Sequence, residues 1–407
     1  MPPTTTPTAP RETTGSGSGA GLVILVVSLF FIWGGITSLN DILIPKLKGL
    51  FRLSYAEAML VQFAFFTAYA VVSLPAGAIV ARLGYGRGIV AGLSVAALGC
   101  LLFVPAASTG TYAIFLAALF ILAAGITLLQ VAANPLIAGL GSAKTSHSRL
   151  TLAQAFNSLG TTVAPYIGAQ LILGQAGPPS PGILGESYLG LAAALAAVAL
   201  VFWIVRRRLG EADAAAGLSG ALGLLARPRL AFGAAAIFVY VGAEVTIGSL
   251  MTNYLMLPSS LGYDQQTAGK HLIFYWGGAM VGRFVGAFLL RVVSPGKALA
   301  GAAVGAGALC LVSACSHGAV AGWTLLAVGL MNAIMFPTIF SLALEGLGPK
   351  TPQGSGLLCM AIVGGAVIPL LGGAVADAAS LSMALAVPAV CYAIVAGFGW
   401  SARRPAA

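Results

Sequence analysis

From about residue 21 to about residue 402 the chain alternates long apolar runs with short polar breaks, and the breaks hold nearly all of the charge. Twelve runs can be delimited, at about 21–47, 57–81, 88–107, 112–139, 149–174, 187–205, 230–257, 267–291, 297–316, 320–345, 354–377 and 381–402. Each approaches the roughly 20 residues that an α-helix needs to cross about 30 Å of hydrocarbon. Lipid offers the backbone no hydrogen bonds, so runs of this kind must be helical. The pattern predicts an all-α membrane protein of twelve transmembrane helices.

The composition sharpens this picture. Of 407 residues, 59% are hydrophobic and 7% charged, with a mean hydropathy of +0.98. Twelve spans leave no segment that could fold as a separate globular enzyme. The formal net charge of +10 would suggest nucleic acid in a soluble protein. Here the basic residues flank the spans, which is the signature of membrane topology, and no nucleic-acid partner is expected. Alternating the loops between sides gives one side Arg11, Arg82, Arg87, Lys144, Arg149, Arg206, Arg207, Arg208, Arg227, Arg229, Arg291, Lys297, Lys350, Arg403 and Arg404. The other side receives only Lys46, Lys48, Arg52 and Lys270. The positive-inside rule therefore places both termini in the cytoplasm, as an even number of spans requires.

Residues 1–20, rich in Pro, Thr, Ser and Gly, lack the basic-then-apolar order of a signal peptide and are expected to form a disordered cytoplasmic tail. Residues 21–205 make an N-terminal six-helix half and 230–402 a C-terminal one. Residues 206–229 form a basic-ended cytoplasmic linker, and 403–407 a second tail. The halves echo one another. Gly160-Thr-Thr-Val-Ala-Pro165-Tyr-Ile-Gly168 matches Gly364-Gly-Ala-Val-Ile-Pro369-Leu-Leu-Gly372, Pro135 matches Pro337, and Trp33-x-Gly35 matches Tyr240-x-Gly242. The offset is nearly constant, which argues for an internal repeat. Two repeated halves with a binding site near mid-membrane between them is a transporter plan, that of the major facilitator fold.

Polar residues inside spans are costly and mark function. Asp41, after Asn40 in the first span, is a candidate proton carrier, because a dry setting disfavours the charged form of a carboxyl. Glu244 in span 7 is a second candidate for proton coupling and for the transport cavity. Arg283 in span 8 reads as a gating or structural group, which can snorkel to the membrane surface or bind helix-terminal carbonyls where the halves meet. Uncharged groups add Gln130 in span 4, Gln154 and Asn157 on one face of span 5, Asn253 and Tyr254 in span 7, and Asn332 and Phe336 in span 10. Amides and carboxylates suit hydroxyls, and aromatic rings suit the apolar face of a sugar. The cysteines Cys100, Cys310, Cys315, Cys359 and Cys391 read as packing residues. The histidines His147, His271 and His317 fall in loops or at span ends. No cluster has metal-ligand spacing, and no catalytic site or cofactor is expected.

Several segments resemble the fucose–proton symporter family of the major facilitator superfamily, and more narrowly the bacterial glucose/galactose permeases. They are SLNDILIPKLK in span 1, LLQVAANPL in span 4, RLTLAQAFNSLGT entering span 5, GAEVTIGSLMTNYL in span 7, MFPTIFSLALEGLG in span 10 and GSGLLCMAIVGGAVIPLLGGAVAD in span 11. The superfamily signature after span 2 is kept at Gly77, Arg82, Gly84 and Arg87, while its usual acidic residue is Ala81. The resemblance implies a monomeric sugar carrier of the bacterial inner membrane, embedded in lipid. It implies proton coupling at Asp41 and sugar contacts at Gln154 and Asn157. A family glutamate falls on Gln130, which can bind hydroxyls but cannot carry a proton. Glu244 is then the remaining candidate for a second carboxylate. A sodium-coupled or uncoupled sugar carrier is the first rival reading, and a metabolite or drug exporter the second.

Overall fold

The computed structural model describes residues 16–51, 55–168, 181–209 and 221–403. In chain order the helices are α1 Ser16–Phe51, α2 Tyr55–Leu83, α3 Tyr85–Thr109, α4 Tyr112–Gly139, α5 Ser146–Gly168, α6 Pro181–Val205, α7 Pro228–Met256, α8 Gln265–Leu289, α9 Pro295–Cys315, α10 Gly318–Leu344, α11 Gly348–Ala378 and α12 Leu381–Ser401. Helix α1 starts at Ser16, within the stretch that the sequence suggests is a tail. The interhalf segment contributes single turns at Arg206–Arg208 and Leu222–Ala226, while residues 210–220 lie outside the described residues.

Among the described residues, eleven helices are apolar and long enough to cross a membrane by themselves, and α5 is not among them. Its sequence carries His147, Arg149, Gln154, Asn157 and a run of hydroxyl residues. Such a helix needs protein around it, and α5 packs on α1, α4, α8 and α10. Among the described residues, four of the helices are broken where the hydrophobic pattern alone expects one straight rod: α11 passes through a tighter turn at Ala361–Val363, and the other three break ahead of a proline. Helix α3 breaks at Leu102, before Pro105. Helix α10 breaks at Ala333 and Ile334, before Pro337, and α12 breaks at Leu385, before Pro388. Proline lacks the N–H that would bond the carbonyl one turn back, and its ring crowds that carbonyl.

Two layers of packing build each half. In the N-terminal half α1 lies on α5, α2 on α4, and α3 on both α4 and α6. In the C-terminal half α7 lies on α11 and α12, α8 on α10, and α9 on α10 and α12. Helices α4 and α10 are the most enclosed, with 67% and 78% of their apolar windows buried, against 28% for α6 and α9. The former pair is central and the latter faces outward. The repeat is visible in single glycines. Gly160 of α5 sits against the Phe31 carbonyl of α1, and Gly364 of α11 sits against the Phe238 carbonyl of α7. Gly35 faces Gly160, and Gly242 faces Gly364 in the same way. No side chain fits at either approach, so the sequence match between the halves is one backbone contact made twice.

Twelve crossings bring both ends of the chain to one side. Among the described residues, the bonds between the halves gather toward that terminus-bearing side. There α2 meets α11, α5 meets α8 and α10, and α4 meets α11. A Cβ on Gly356 would lie 2.6 Å from the Ser73 carbonyl, and one on Gly77 would lie 3.0 Å from that of Pro352. Gly84 has a φ of 84° at the turn from α2 to α3, which only glycine adopts without strain. Arg82 and Arg87 flank that turn and are exposed.

Candidate functional site

The N-terminal half presents amides. Gln130 on α4 donates from Nε2 to the Tyr69 hydroxyl of α2 at 2.5 Å. One turn on, Asn134 accepts from Gln154 Nε2 of α5 at 3.4 Å. Asn157, three residues further along α5, donates from Nδ2 to the Phe30 carbonyl at 3.0 Å and packs on Gly34. Gln154 is 6% exposed, whereas Gln130 and Asn157 are half-buried. Asn40 and Asp41 are on α1, but their side chains lie outside the described residues.

The C-terminal half presents a closed network. The Tyr240 hydroxyl lies 2.9 Å from Glu244 Oε1, to which it donates, and 3.1 Å from the Asn332 carbonyl. Tyr275 donates to the Glu244 backbone carbonyl at 3.1 Å and accepts from Asn332 Nδ2 at 2.9 Å. Tyr392 donates to Asn332 Oδ1 at 2.8 Å. The break before Pro337 makes this possible, because it frees the Asn332 and Ala333 carbonyls for side chains. Arg283 Nε takes the Ala333 carbonyl at 3.3 Å. The N-terminal counterpart, Pro135, frees the Val131 carbonyl, and Ser355 of α11 donates to it at 2.9 Å. A proline in each half thus opens a carbonyl that another helix fills.

Arg283 joins the two sets. Its Nη1 donates to the Ser158 hydroxyl on α5, beside Asn157, and the guanidinium is within electrostatic reach of Glu244.

Two residues expected at the ligand are bonded within the protein. Asn332 is 1% exposed and spends both ends of its amide on Tyr275 and Tyr392. It is the hub of the C-terminal half. Tyr254, 2% exposed, donates to the Ser313 carbonyl of α9 at 2.7 Å and accepts from the Ser313 hydroxyl. Its hydroxyl braces α7 against α9 within one half. Asn253 beside it is exposed, and Phe336 packs on Phe340 at 5.8 Å between ring centroids.

Residues 21–361 match the model of the Major Facilitator Superfamily. A glucose/galactose transporter of Brucella abortus biovar 1 (strain 9-941) is 50% identical over 402 residues, covering 98% of this chain and 97% of that protein. An L-fucose-proton symporter of Escherichia coli (strain K12) is 36% identical over 399 residues, covering 91% of this chain and 90% of its own. The crystal structure of the superfamily transporter FucP in the outward conformation superposes with a TM-score of 0.86 at 34% identity, over 96% of this chain and all of that one. The chain belongs to the fucose–proton symporter family of the major facilitator superfamily. It is a multi-pass membrane transporter and not an enzyme.

The transporter carries a second polar cluster at its terminus-bearing end, which the sequence did not flag. His147, in the first turn of α5 and 7% exposed, bonds across the halves through Nδ1 to the Ser341 hydroxyl of α10 at 2.6 Å. Its Nε2 lies 3.3 Å from Glu345 Oε1, and Arg229 pairs with the other Glu345 oxygen. Ser148 donates to the Ala287 carbonyl of α8 at 2.5 Å, and Arg291 donates to Ser148 at 3.2 Å. The sequence placed His147 among loop and span-end histidines. Its partners lie almost two hundred residues away in the chain, so no local pattern points to them.

Proposed function

We propose that this transporter imports a hexose of the glucose/galactose class across the bacterial inner membrane by alternating access, with proton symport through Asp41. The observation that carries the substrate is 50% identity along nearly the whole chain to a protein named for glucose and galactose transport. The site chemistry supports it. Gln130, Gln154 and Asn157 on one side and Glu244 on the other offer donors and acceptors to hydroxyls, and each amide has capacity left after its one bond. Asn253 and Phe336 remain sugar contacts in this reading, and both termini face the cytoplasm.

In the cycle, Asp41 takes a proton from the outside. Its neutralisation removes the cost of enclosing a charge, the loaded halves rock about the central site, and proton release inside resets the carrier. Glu244 is the second coupling carboxylate, held in place by Tyr240 and balanced by Arg283. The carrier works as a monomer in lipid and needs no cofactor besides its coupling ion. Gln130 favours a second reading, sodium-coupled or uncoupled transport, because the family's carboxylate is absent there.

The test is uptake by proteoliposomes of the purified protein against a competition panel of sugars, followed by Asp41→Asn. The proposal expects D-glucose and D-galactose to compete best. It expects Asp41→Asn to lose uphill accumulation while keeping sugar exchange. Unimpaired accumulation by Asp41→Asn overturns the coupling role, and indifference to both hexoses overturns the substrate.

A further inference from the structure

His147, Thr151, Gln154 and Ser158 follow one another on α5 at four- and three-residue steps, so they share one face. Both ends of this face touch the other half, His147 at Ser341 and Ser158 at Arg283. Thr151 and Gln154 therefore lie along the interface between them. The last turns of α10 carry Thr338 and Ser341 at the same three-residue step, with Ile334 at the break before them and Glu345 just past the helix end. Gly286 of α8 packs against both Ile334 and Thr151, which sets the two faces at one seam.

This seam is polar and dry. Thr151, Thr338 and Asn134 are each 0% exposed. The Thr151 and Thr338 hydroxyls and Asn134 Nδ2 have no hydrogen-bond partner. Buried polar atoms are nearly always paired, and an unpaired one is a standing cost. Three beside one interface point to a partner that arrives in another state. Toward the termini a cavity of about 410 Å³ lies against His147, Ser341 and Glu345 and reaches Pro135, the neighbour of Asn134. The order is therefore the central residues, then the unpaired atoms, then the His147–Ser341 latch, then an open cavity.

We propose that Asn134, Thr151 and Thr338 form a hydroxyl-binding inner leg of the transport path, dry while the His147–Ser341 latch is shut and reached by the departing sugar when it opens. The hydroxyl-binding part rests on the sugar-carrier reading, whereas the existence of the path does not. The ligand class is a neutral polyol, because the unpaired groups on this leg are two hydroxyls and an amide. The latch carries the charges His147, Glu345 and Arg229.

Thr151→Val and Thr338→Val remove each hydroxyl while keeping the shape. With D-glucose as probe, in vesicles of both orientations, each variant is expected to raise the KM from the terminus-bearing side about fivefold, as the loss of one hydrogen bond would. The KM from the opposite side stays within about twofold. Thr→Ser at either position keeps the wild-type values, and the melting temperature of the valine variants does not fall. An unchanged KM on both sides, or a melting loss that serine repairs, overturns the inner leg.

A second arm needs no sugar. In a Cys315→Ser background, Thr151→Cys and Thr338→Cys are expected to react with a membrane-impermeant maleimide added on the terminus-bearing side, and faster when His147→Ala removes the latch. Cysteines that stay unreactive even with His147→Ala overturn the path. If the wild-type chain moves neither D-glucose nor D-galactose, the hydroxyl-binding role falls with the sugar reading, and the labelling alone decides the path.

Discussion

The two halves hold their polar side chains differently. In the N-terminal half Gln130, Gln154 and Asn157 each donate one bond, to Tyr69, Asn134 and a backbone carbonyl respectively. In the C-terminal half three tyrosines close on Asn332 and Glu244. An amide with one partner can exchange it for a sugar hydroxyl. A hub whose removal strands the buried Tyr392 hydroxyl and takes a donor from Tyr275 cannot. The N-terminal half is thus the adaptable surface, and the C-terminal half is a frame that fixes a carboxylate and Arg283.

The sharpest way to break this comparison is Asn332→Leu. It strands the Tyr392 hydroxyl, while Tyr275 loses the amide donor but keeps its bond to the Glu244 carbonyl, so the expected loss is about 1–3 kcal/mol of stability, the cost of one stranded buried group. Thermal melting in detergent reads this directly. Intact stability with weakened sugar binding would make Asn332 a ligand residue after all. Next comes Gly356→Val at the seam of α2 and α11. The added side chain collides with the Ser73 carbonyl, and overpacking of this kind costs enough to slow uptake about tenfold. Normal uptake rates would show that α2 and α11 need not close.

Asn157→Ala tests the adaptable half. It is expected to weaken D-glucose binding about tenfold with little change in melting. A melting loss as large as that of Asn332→Leu would erase the distinction between the halves. The smallest effect belongs to Tyr254→Phe. Losing the Ser313 bond costs about 1 kcal/mol, and uptake should be unaffected. A fall in sugar affinity would return Tyr254 to the binding site.

What the sequence discloses follows from how local each signal is. Hydrophobic runs are local and long, so twelve helices could be read directly, including polar α5, whose ends had to be placed between its neighbours. The Gly160 and Gly364 match was legible because a backbone approach admits no other residue. Arg283 was legible as an expensive charge in a span. The Tyr240–Asn332–Tyr275–Tyr392 network was not, because a tyrosine in an apolar helix looks like packing until its partner on another helix is known. His147 was missed for the same reason. Asn332 and Tyr254 read as ligand residues because residue type reveals capacity for hydrogen bonds and not who has already taken it. Helix breaks were missed although Pro105, Pro337 and Pro388 were in view, since proline is tolerated unbroken at Pro135.

The most direct test is uptake of labelled D-glucose into proteoliposomes of the purified protein, with and without an inward proton gradient at a fixed membrane potential. The account predicts accumulation above the external concentration only when the gradient is present. Equilibration to the same level in both conditions would contradict it.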